Sequence, residues 1–449
     1  MPEPIATVIT VNWNGERLLR SCLDALARQQ TTQPFETWVV DNASSDGSVA
    51  LLEREYPSVR VIRNTQNLGF AGGNNVALRQ VTTPYAVLLN NDATPEPDWL
   101  ENLLAPFEQP GSERLGVVTS KVVFQPSFLR LALSTEGFVP GGGDPRELGV
   151  RLFGLSVEDV DVTDKVLMER LSWGVEGVGA GRFRWTKPAG ELLVPLPDGH
   201  PGPYEICVRV AAESAKPVTL SWPGGSATVE AAVEPSEHVF EVPRGTPSYD
   251  VINNVGSIVT KTGYGADRGF QEVDEGQYDK PEEVFALCGC AVAIRTEAGR
   301  AAGWFDDDFF MYYEDTDLSW RLRAAGWSIR YEPAAVVRHV HAASSGEWSP
   351  NFTFHATRNR LLMLAKDFDA RVARREWVAF FLSTLQVLRP VVGAVRRLRR
   401  PQVTRLRMQL RILRSLLRLA PRELRARRQI AREAVVPRAE LEEWLVAPR

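Results

Sequence analysis

The chain has 449 residues, 44% of them hydrophobic, and a formal net charge of −4 at pH 7, which allows a large core spread over two or three domains. Its four cysteines (Cys22, Cys207, Cys288, Cys290) are too few for a disulfide scaffold, and the close spacing of the last two suits neither a zinc pair nor a disulfide, so a reducing compartment is expected. No run of 18 apolar residues is present and residues 1–4 lead straight into a strand-like run, so neither a spanning helix nor a signal peptide is expected.

Residues 6–11 (ATVITV) are β-branched and apolar and read as a first strand, followed by a turn at 12–15. Residues 16–30 carry Leu18, Leu19, Cys22, Leu23 and Leu26 at helical spacing. A second strand spans 35–40, a helix 48–56 and a third strand 59–63. A loop rich in glycine and asparagine covers 64–73, a short helix 74–80, and a fully apolar strand 85–89. This alternation predicts a parallel sheet with helices on both faces.

The fourth strand stops at Asn90-Asn91-Asp92, where an open α/β sheet binds its ligands. One carboxylate beside two amide oxygens suits Mg²⁺ or Mn²⁺, although taken alone the triplet reads equally as a polar turn. Asp41 ends the second strand, and NTQNLGFAGGNN follows the third. Glycines there let backbone N–H groups approach a ligand, and the next helix offers its positive end to an anion. The Gly-Lys-Ser/Thr ending of a Walker loop is missing. Three polar strand ends in succession favour a nucleotide cleft.

The stretches VITVNWNG, VVDNASSDGS, NLGFAGGNN and LLNNDATPEPDWL resemble the nucleotide-sugar half of a family-2 glycosyltransferase with the GT-A fold. CGCAVAIR, GWFDDDFFMYYEDTDLSWRLRAAGW and VVRHVHAASSG resemble its acceptor half. The similarity is greatest to bacterial rhamnosyl- and galactofuranosyl-type transferases and covers roughly residues 5–135 and 250–365. One departure is the Asp-x-Asp metal signature, which stands here as Asn90-Asn91-Asp92 and lacks the first carboxylate.

Between 136 and about 250 the pattern breaks. Short strand-like runs at 191–196, 204–211, 217–222, 227–233 and 238–242 are punctuated by Pro and Gly, which reads as an antiparallel β-sandwich or barrel inserted into the transferase. The insert resembles a carbohydrate-binding jelly roll loosely; a purely structural insert is an equal reading. The transferase then resumes. An aromatic run at 309–313 ends at Glu314-Asp315, a helix follows at 316–325 with Gly326 as cap, and strands follow at 327–331 and 336–341.

Residues 371–449 hold 20 arginines, no lysine and six glutamates, about +14, which leaves about −18 for the rest. Residues 377–392 are mostly apolar with few charges, and 396–432 alternate arginine with Leu and Ile at helical spacing. That is the pattern of a helix lying on an anionic membrane; a helical pair docked on the catalytic domain is the plain alternative. No nucleic-acid motif accompanies the charge.

The expected architecture is therefore an α/β GT-A fold in four parts. Residues 1–135 form the nucleotide-sugar half, 136–250 the inserted sandwich, 251–368 the acceptor half and 369–449 the helical tail. The resemblance implies Asn12, Asp41, Asn67, Gly69, Asn75, Asn91 and Asp92 for the UDP- or dTDP-sugar. It implies Asp92 with His339 (His341 as the alternative) for a divalent metal, Mg²⁺ or Mn²⁺. It also implies Asp315 as the base that deprotonates the acceptor hydroxyl, with inversion at the anomeric carbon. Glu314 is expected to raise the Asp315 pKa by like-charge proximity. The implied acceptor is a glycan or a polyprenyl-diphosphate-linked glycan in cell-wall or surface-polysaccharide assembly. The implied place is cytoplasmic, peripheral on the inner face of the cell membrane. Two rivals remain: a nucleotidyltransferase, for which a basic glycine-rich activation loop is missing, and a non-catalytic nucleotide-sugar sensor, which Asn90 slightly favours.

Overall fold

The computed structural model describes residues 2–168, 171–197, 202–340, 349–396 and 403–447. The chain divides into two compact units. The first comprises 1–125, 252–270 and 276–449; the second comprises 126–251 and 271–275.

In the first unit the strands β1 (Ala6–Asn12), β2 (Phe35–Asp41), β3 (Arg60–Arg63) and β4 (Tyr85–Leu89) pair in parallel in the order β4-β1-β2-β3. Helices α1 (Glu16–Ala27), α2 (Ser48–Glu55) and α3 (Gly69–Leu78) connect them. The unbroken apolar run of β4 is buried throughout. Its Tyr85, Val87 and Leu89 join the core under α1, while Ala86 and Leu88 join the core on the opposite face, as a strand buried on both sides requires. Helix α1 buries Leu19, Cys22, Leu23 and Leu26, one face of a 3.6-residue period.

The sheet is mixed rather than parallel throughout. Strand Ala291–Arg295 runs antiparallel between β4 and the strand Leu115–Phe124. Beyond it, Ser328–His339 returns parallel to Leu115–Phe124. The sheet has ten strands among the described residues. The two strands expected at 327–331 and 336–341 are one, Ser328–His339, whose register shifts between Glu332 and Val336. Pro333 falls in that irregularity, where its missing N–H breaks no ladder bond.

Helix α3 begins at Gly69, five residues earlier than expected, so half of the glycine-rich loop, residues 69–73, is helical. The reason is tertiary: the Asn67 side-chain oxygen accepts from Gly69 N, and the Phe310 carbonyl accepts from Phe70 N and Ala71 N. Those first-turn N–H groups are thereby used within the chain, which corrects the expectation that they face an anion.

The tail forms two long helices, Ala370–Arg396 and Thr404–Glu433. The second buries Leu406, Ile412, Leu416 and Glu423. Ile412 and Leu416 join the core formed with the helix Pro350–Asp367, and Arg427 donates to the carbonyls of Ala365 and Phe368. The tail is therefore docked on the first unit. It also leaves Val378, Phe381, Leu382, Leu385 and Leu388 exposed along the first helix and Leu410, Leu417 and Leu424 along the second. No helix among the described residues is long and apolar enough to cross a membrane.

The second unit packs two antiparallel sheets around an apolar core that includes Leu131, Leu155, Val194, Ile206, Val208 and Leu220. One sheet orders Ala189–Pro195, Phe128–Thr135, Lys216–Trp222 and Gly225–Ala231. The other orders Ser172–Glu176, Phe183–Thr186, Arg151–Val157, Tyr204–Ala211 and Ser236–Val242.

Candidate active site

The register of β1 and β2 places Asn12 beside Asp41 at the carboxyl ends of both strands. Asn91 donates to the Asn12 oxygen at 2.8 Å, Asn12 donates to Ser44 Oγ at 3.3 Å, and Ser44 N donates to Asp41 Oδ2 at 3.2 Å. Asp41 Oδ1 is buried with no partner, an acceptor left over at the mouth of the sheet. Of the residues expected to hold the nucleotide sugar, Asn12, Asp41 and Asn91 thus form one network.

Asn67, Gly69 and Asn75 do different work. Asn67 accepts from Asn42 Nδ2 as well as from Gly69 N. Gly69 has φ +72°, and an added Cβ would lie 2.2 Å from the Phe310 carbonyl. Asn75 is fully buried and exchanges hydrogen bonds with the backbone of Phe305 and with Asp307. Gly69 and Asn75 tie α3 to the loop that leads to Glu314-Asp315, while Asn67 joins the start of α3 to Asn42.

Asp92 and His339 converge. His339 pairs with Ala93 across the short strand Ala93–Pro95, which brings its Nε2 to 3.2 Å from Asp92 Oδ1. His339 Nδ1 lies 3.1 Å from the side-chain oxygen of the buried Asn253. That oxygen can only accept, so Nδ1 donates to it and Nε2 is the nitrogen turned toward the carboxylate. A proton or a cation between Nε2 and Oδ1 would serve both atoms. One carboxylate, one imidazole and an amide that orients the imidazole are a donor set that fits a divalent ion. His341 lies outside the described residues.

A second acidic group, Asp306, Asp308 and Glu423, also brings its oxygens within 4.8 Å of one another. Here the cation is already supplied. Lys366 Nζ lies 2.6 Å from Asp306, 2.6 Å from Asp317 and 3.3 Å from Glu423, and Arg422 pairs with Asp306 and Asp308. Burial pulls the Lys366 pKa down, but these carboxylates outweigh it and hold the ammonium well above its ordinary value. This cluster locks the tail onto the 306–308 loop.

Glu314 and Asp315 open the helix Glu314–Ala324, where acids complement the dipole. The two residues before them, Tyr312 and Tyr313, sit at φ +69° and +70°, left-handed conformations that are strained for bulky side chains. The buried Asn359 holds that turn by donating to the carbonyls of Met311 and Tyr312. Asp315 Oδ2 accepts from Gly289 N at 2.7 Å, while Oδ1 is buried without a partner. Burial pushes the Asp315 pKa up to about 7; Asp267 adds to the rise and the Gly289 N–H opposes it. Asp267 is thus one like-charge neighbour of Asp315, and Glu314 is another, since the repulsion between the two is mutual. Glu314 is pushed well above its ordinary range, first by its own burial and then by Asp315.

Gly289 and Cys290 join the two halves of the site. Gly289 N holds Asp315, and the Cys290 carbonyl accepts from Asn90 N at 2.8 Å. Burial raises the Cys290 thiol far above its usual range, with Asp92 and Asp315 both adding to it. An added Cβ at Gly289 would stand 2.6 Å from Asp315 Oδ1 and 2.9 Å from the Phe70 ring. Asn253, Gly289, Asn359 and Asp267 escaped the reading of the sequence, and only the CGC stretch and the polar pair Asn253-Asn254 hinted at them.

Residues 7–134 match the family model for glycosyl transferase family 2. The teichoic acid poly(glycerol phosphate) polymerase of Staphylococcus epidermidis is 34% identical over 90 residues, 19% of this chain and 12% of that protein. The N-acetylglucosaminyl-diphospho-decaprenol L-rhamnosyltransferase of Mycobacterium tuberculosis is 45% identical over 60 residues, 13% of this chain and 20% of that protein. Both matches therefore span a small part of the relatives' length. The crystal structure of GalNAc-T7 with UDP, GalNAc and Mn2+ aligns with 97% of this chain and 58% of its own at 11% identity and a TM-score of 0.44. With its matched segment carrying the β1–β4 network and Asp92, the chain contains a glycosyl transferase family 2 domain.

Proposed function

We propose that the chain is an inverting glycosyltransferase that moves a rhamnosyl- or galactofuranosyl-type sugar from a UDP- or dTDP-sugar to a glycan or polyprenyl-diphosphate-linked glycan. The process is cell-wall or surface-polysaccharide assembly, a setting supported by the names of the teichoic acid polymerase and the rhamnosyltransferase. The observation that carries this reading is the facing pair Asp92 and His339, connected through Asn90 and Cys290–Gly289 to a base with a free buried oxygen, Asp315 Oδ1.

Asp92 and His339 would hold Mg²⁺ or Mn²⁺, which when bound neutralises the diphosphate leaving group. Asp41 and Asn12 offer an acceptor and an amide for the nucleoside. Asp315 Oδ1 takes the acceptor hydroxyl proton as that oxygen attacks the anomeric carbon from the side opposite the diphosphate. Glu314, pushed well above its ordinary range by its own burial and then by Asp315, lies beside this base. A peripheral position on an anionic cytoplasmic leaflet is part of this reading, supported by the arginine-rich tail and its exposed apolar strip.

A panel of UDP- and dTDP-sugars screened by thermal shift with Mn²⁺ identifies the donor, and donor turnover is then followed with and without EDTA. Stabilisation by one donor and metal-dependent turnover are expected. Activity undiminished in EDTA would remove the metal from this reading. Asn90, standing in place of a carboxylate, favours the second reading, a nucleotide-sugar sensor; donor binding with no hydrolysis or transfer in Mg²⁺ would select it.

A further inference from the structure

Residues 304–313 join the helix Thr296–Ala302 to the helix that opens with Glu314-Asp315, and they form no helix or strand of their own. Trp304, Tyr312 and Tyr313 stand at φ +58°, +69° and +70°. A backbone of that kind keeps its course only where its surroundings fix it. Side chains from three other helices do so.

The triplet Asp306-Asp307-Asp308 is divided between them. Asp307 turns to α3, where its Oδ1 accepts from Asn75 Nδ2 at 2.6 Å and its Oδ2 pairs with Arg79 at 2.6 Å. Asp306 and Asp308 turn to the tail helix Thr404–Glu433. There Arg422 Nη2 lies 3.2 Å from Asp306 Oδ1, and Arg422 Nη1 donates to Asp308 Oδ2. Helix Pro350–Asp367 supplies the rest. Lys366 Nζ lies 2.6 Å from Asp306 Oδ2, Arg358 Nη2 donates to the Asp308 carbonyl at 2.6 Å, and Asn359 holds the carbonyls of Met311 and Tyr312. Two residues beyond the triplet, the Phe310 carbonyl caps α3 through Phe70 N and Ala71 N.

Arg422 differs from the other cations and amides on this segment. Lys366, Arg358 and Asn359 are buried, whereas the Arg422 side chain is 52% exposed. The tail keeps its apolar seam, Ile412 and Leu416, without it. Oxygens of Asp306 and Asp308 lie within 4.8 Å of each other, and Arg422 bridges the two carboxylates. Lys366 also serves Asp306, but no other cation pairs with the Asp308 carboxylate among the described residues. Without the bridge the two like charges push the turn open.

We propose that Arg422 is a positioning residue for the transfer site. From the tail it sets the 306–308 turn, and through that turn the start of α3 and the approach to Asp315. What those elements bind rests on the transfer reading above; the coupling between them does not. An exposed ion pair holds a segment by a small margin, so loss of Arg422 loosens the turn without unfolding the chain. The docked tail thereby takes part in shaping the site.

The test is amide hydrogen exchange of the full chain, read by mass spectrometry with no ligand added. Arg422→Gln should speed exchange about two- to fivefold in residues 69–78 and 304–313. The tail helix around Ile412 and Leu416 should exchange as in wild type, and Arg422→Lys should restore most of the protection. Arg418→Gln, at an exposed position of the same helix with no ion pair among the described residues, should change nothing. Turnover of the UDP- and dTDP-sugars of the panel above should fall in kcat more than KM rises in Arg422→Gln, and Arg422→Lys should recover it. Wild type inactive on every sugar would strike the transfer reading alone, because the exchange arm uses no substrate. Unchanged exchange at 69–78 and 304–313, an equal rise in Arg418→Gln, or a rise confined to the tail helix overturns the proposal.

Discussion

Asp315 combines a free buried oxygen with a pKa of about 7, the value at which a carboxylate is both available and basic near neutral pH. Turnover should therefore rise with pH through about 7, and Asp315→Asn should lower it by about 10²–10⁴-fold with donor binding near normal. The same shift has a cost in stability. The folded chain holds this proton more tightly than the unfolded chain, where an Asp titrates near 3.9. The stabilisation from that proton is complete below about pH 4 and is lost as pH rises through about 7. Asp315→Asn should thus melt higher than wild type at pH 8 and similarly at pH 4, as calorimetry can check. Asn253→Ala frees the His339 ring and should weaken Mn²⁺ affinity by about 10–100-fold, read as the Mn²⁺ concentration needed for thermal stabilisation. Asp92, His339 and Asp315 were legible because each residue type matched a motif at the end of an element. Asn253 and Asn359 were not, because an asparagine acquires its role from a partner 86 or 47 positions away.

At the scale of elements, strands and helices up to residue 89 follow from local pattern, because apolar periodicity and burial agree there. The start of α3 does not, because its cap is the Phe310 carbonyl, which no local window contains. Gly69→Ala should test that contact. A Cβ 2.2 Å from the Phe310 oxygen at φ +72° should destabilise the chain by roughly 1–3 kcal/mol, measured by chemical denaturation. The tail helices were legible as helices, but their docked face was not. Arginine and leucine at helical spacing serve a membrane and a protein surface equally. Structure divides the labour: Ile412, Leu416 and Glu423 face the protein, while Phe381, Leu382 and Leu385 face outward. Phe381→Ser with Leu385→Ser should lower co-sedimentation with anionic liposomes and leave donor binding alone; unchanged co-sedimentation would rule that strip out as the anchor.

At the scale of the molecule, the lock at Lys366 makes tail truncation an unsound probe of membrane binding. Removing the helix that bears Glu423 and Arg422 also removes cover from helix Pro350–Asp367 and cations from Asp306 and Asp308. Excision of the sandwich is the cleaner operation. Strand Ile252–Asn254 pairs antiparallel with Leu115–Phe124, Ile252 opposite Val123, so the ends left by removing 126–251 meet like the legs of a hairpin. That deletion, closed with a short turn, should leave a cooperatively unfolding first unit, checked by circular dichroism melting. The sandwich was legible from its Pro- and Gly-punctuated runs. Finally, Val446 pairs with Thr260, its N–H donating to the Val259 carbonyl and its carbonyl accepting from Lys261. The host unit therefore closes across nearly two hundred residues of chain, while the sandwich strands between 128 and 242 are contiguous. During synthesis the guest can fold on the ribosome before its host is finished, and the pairing of Val446 with Thr260 forms only once residue 446 has cleared the exit tunnel.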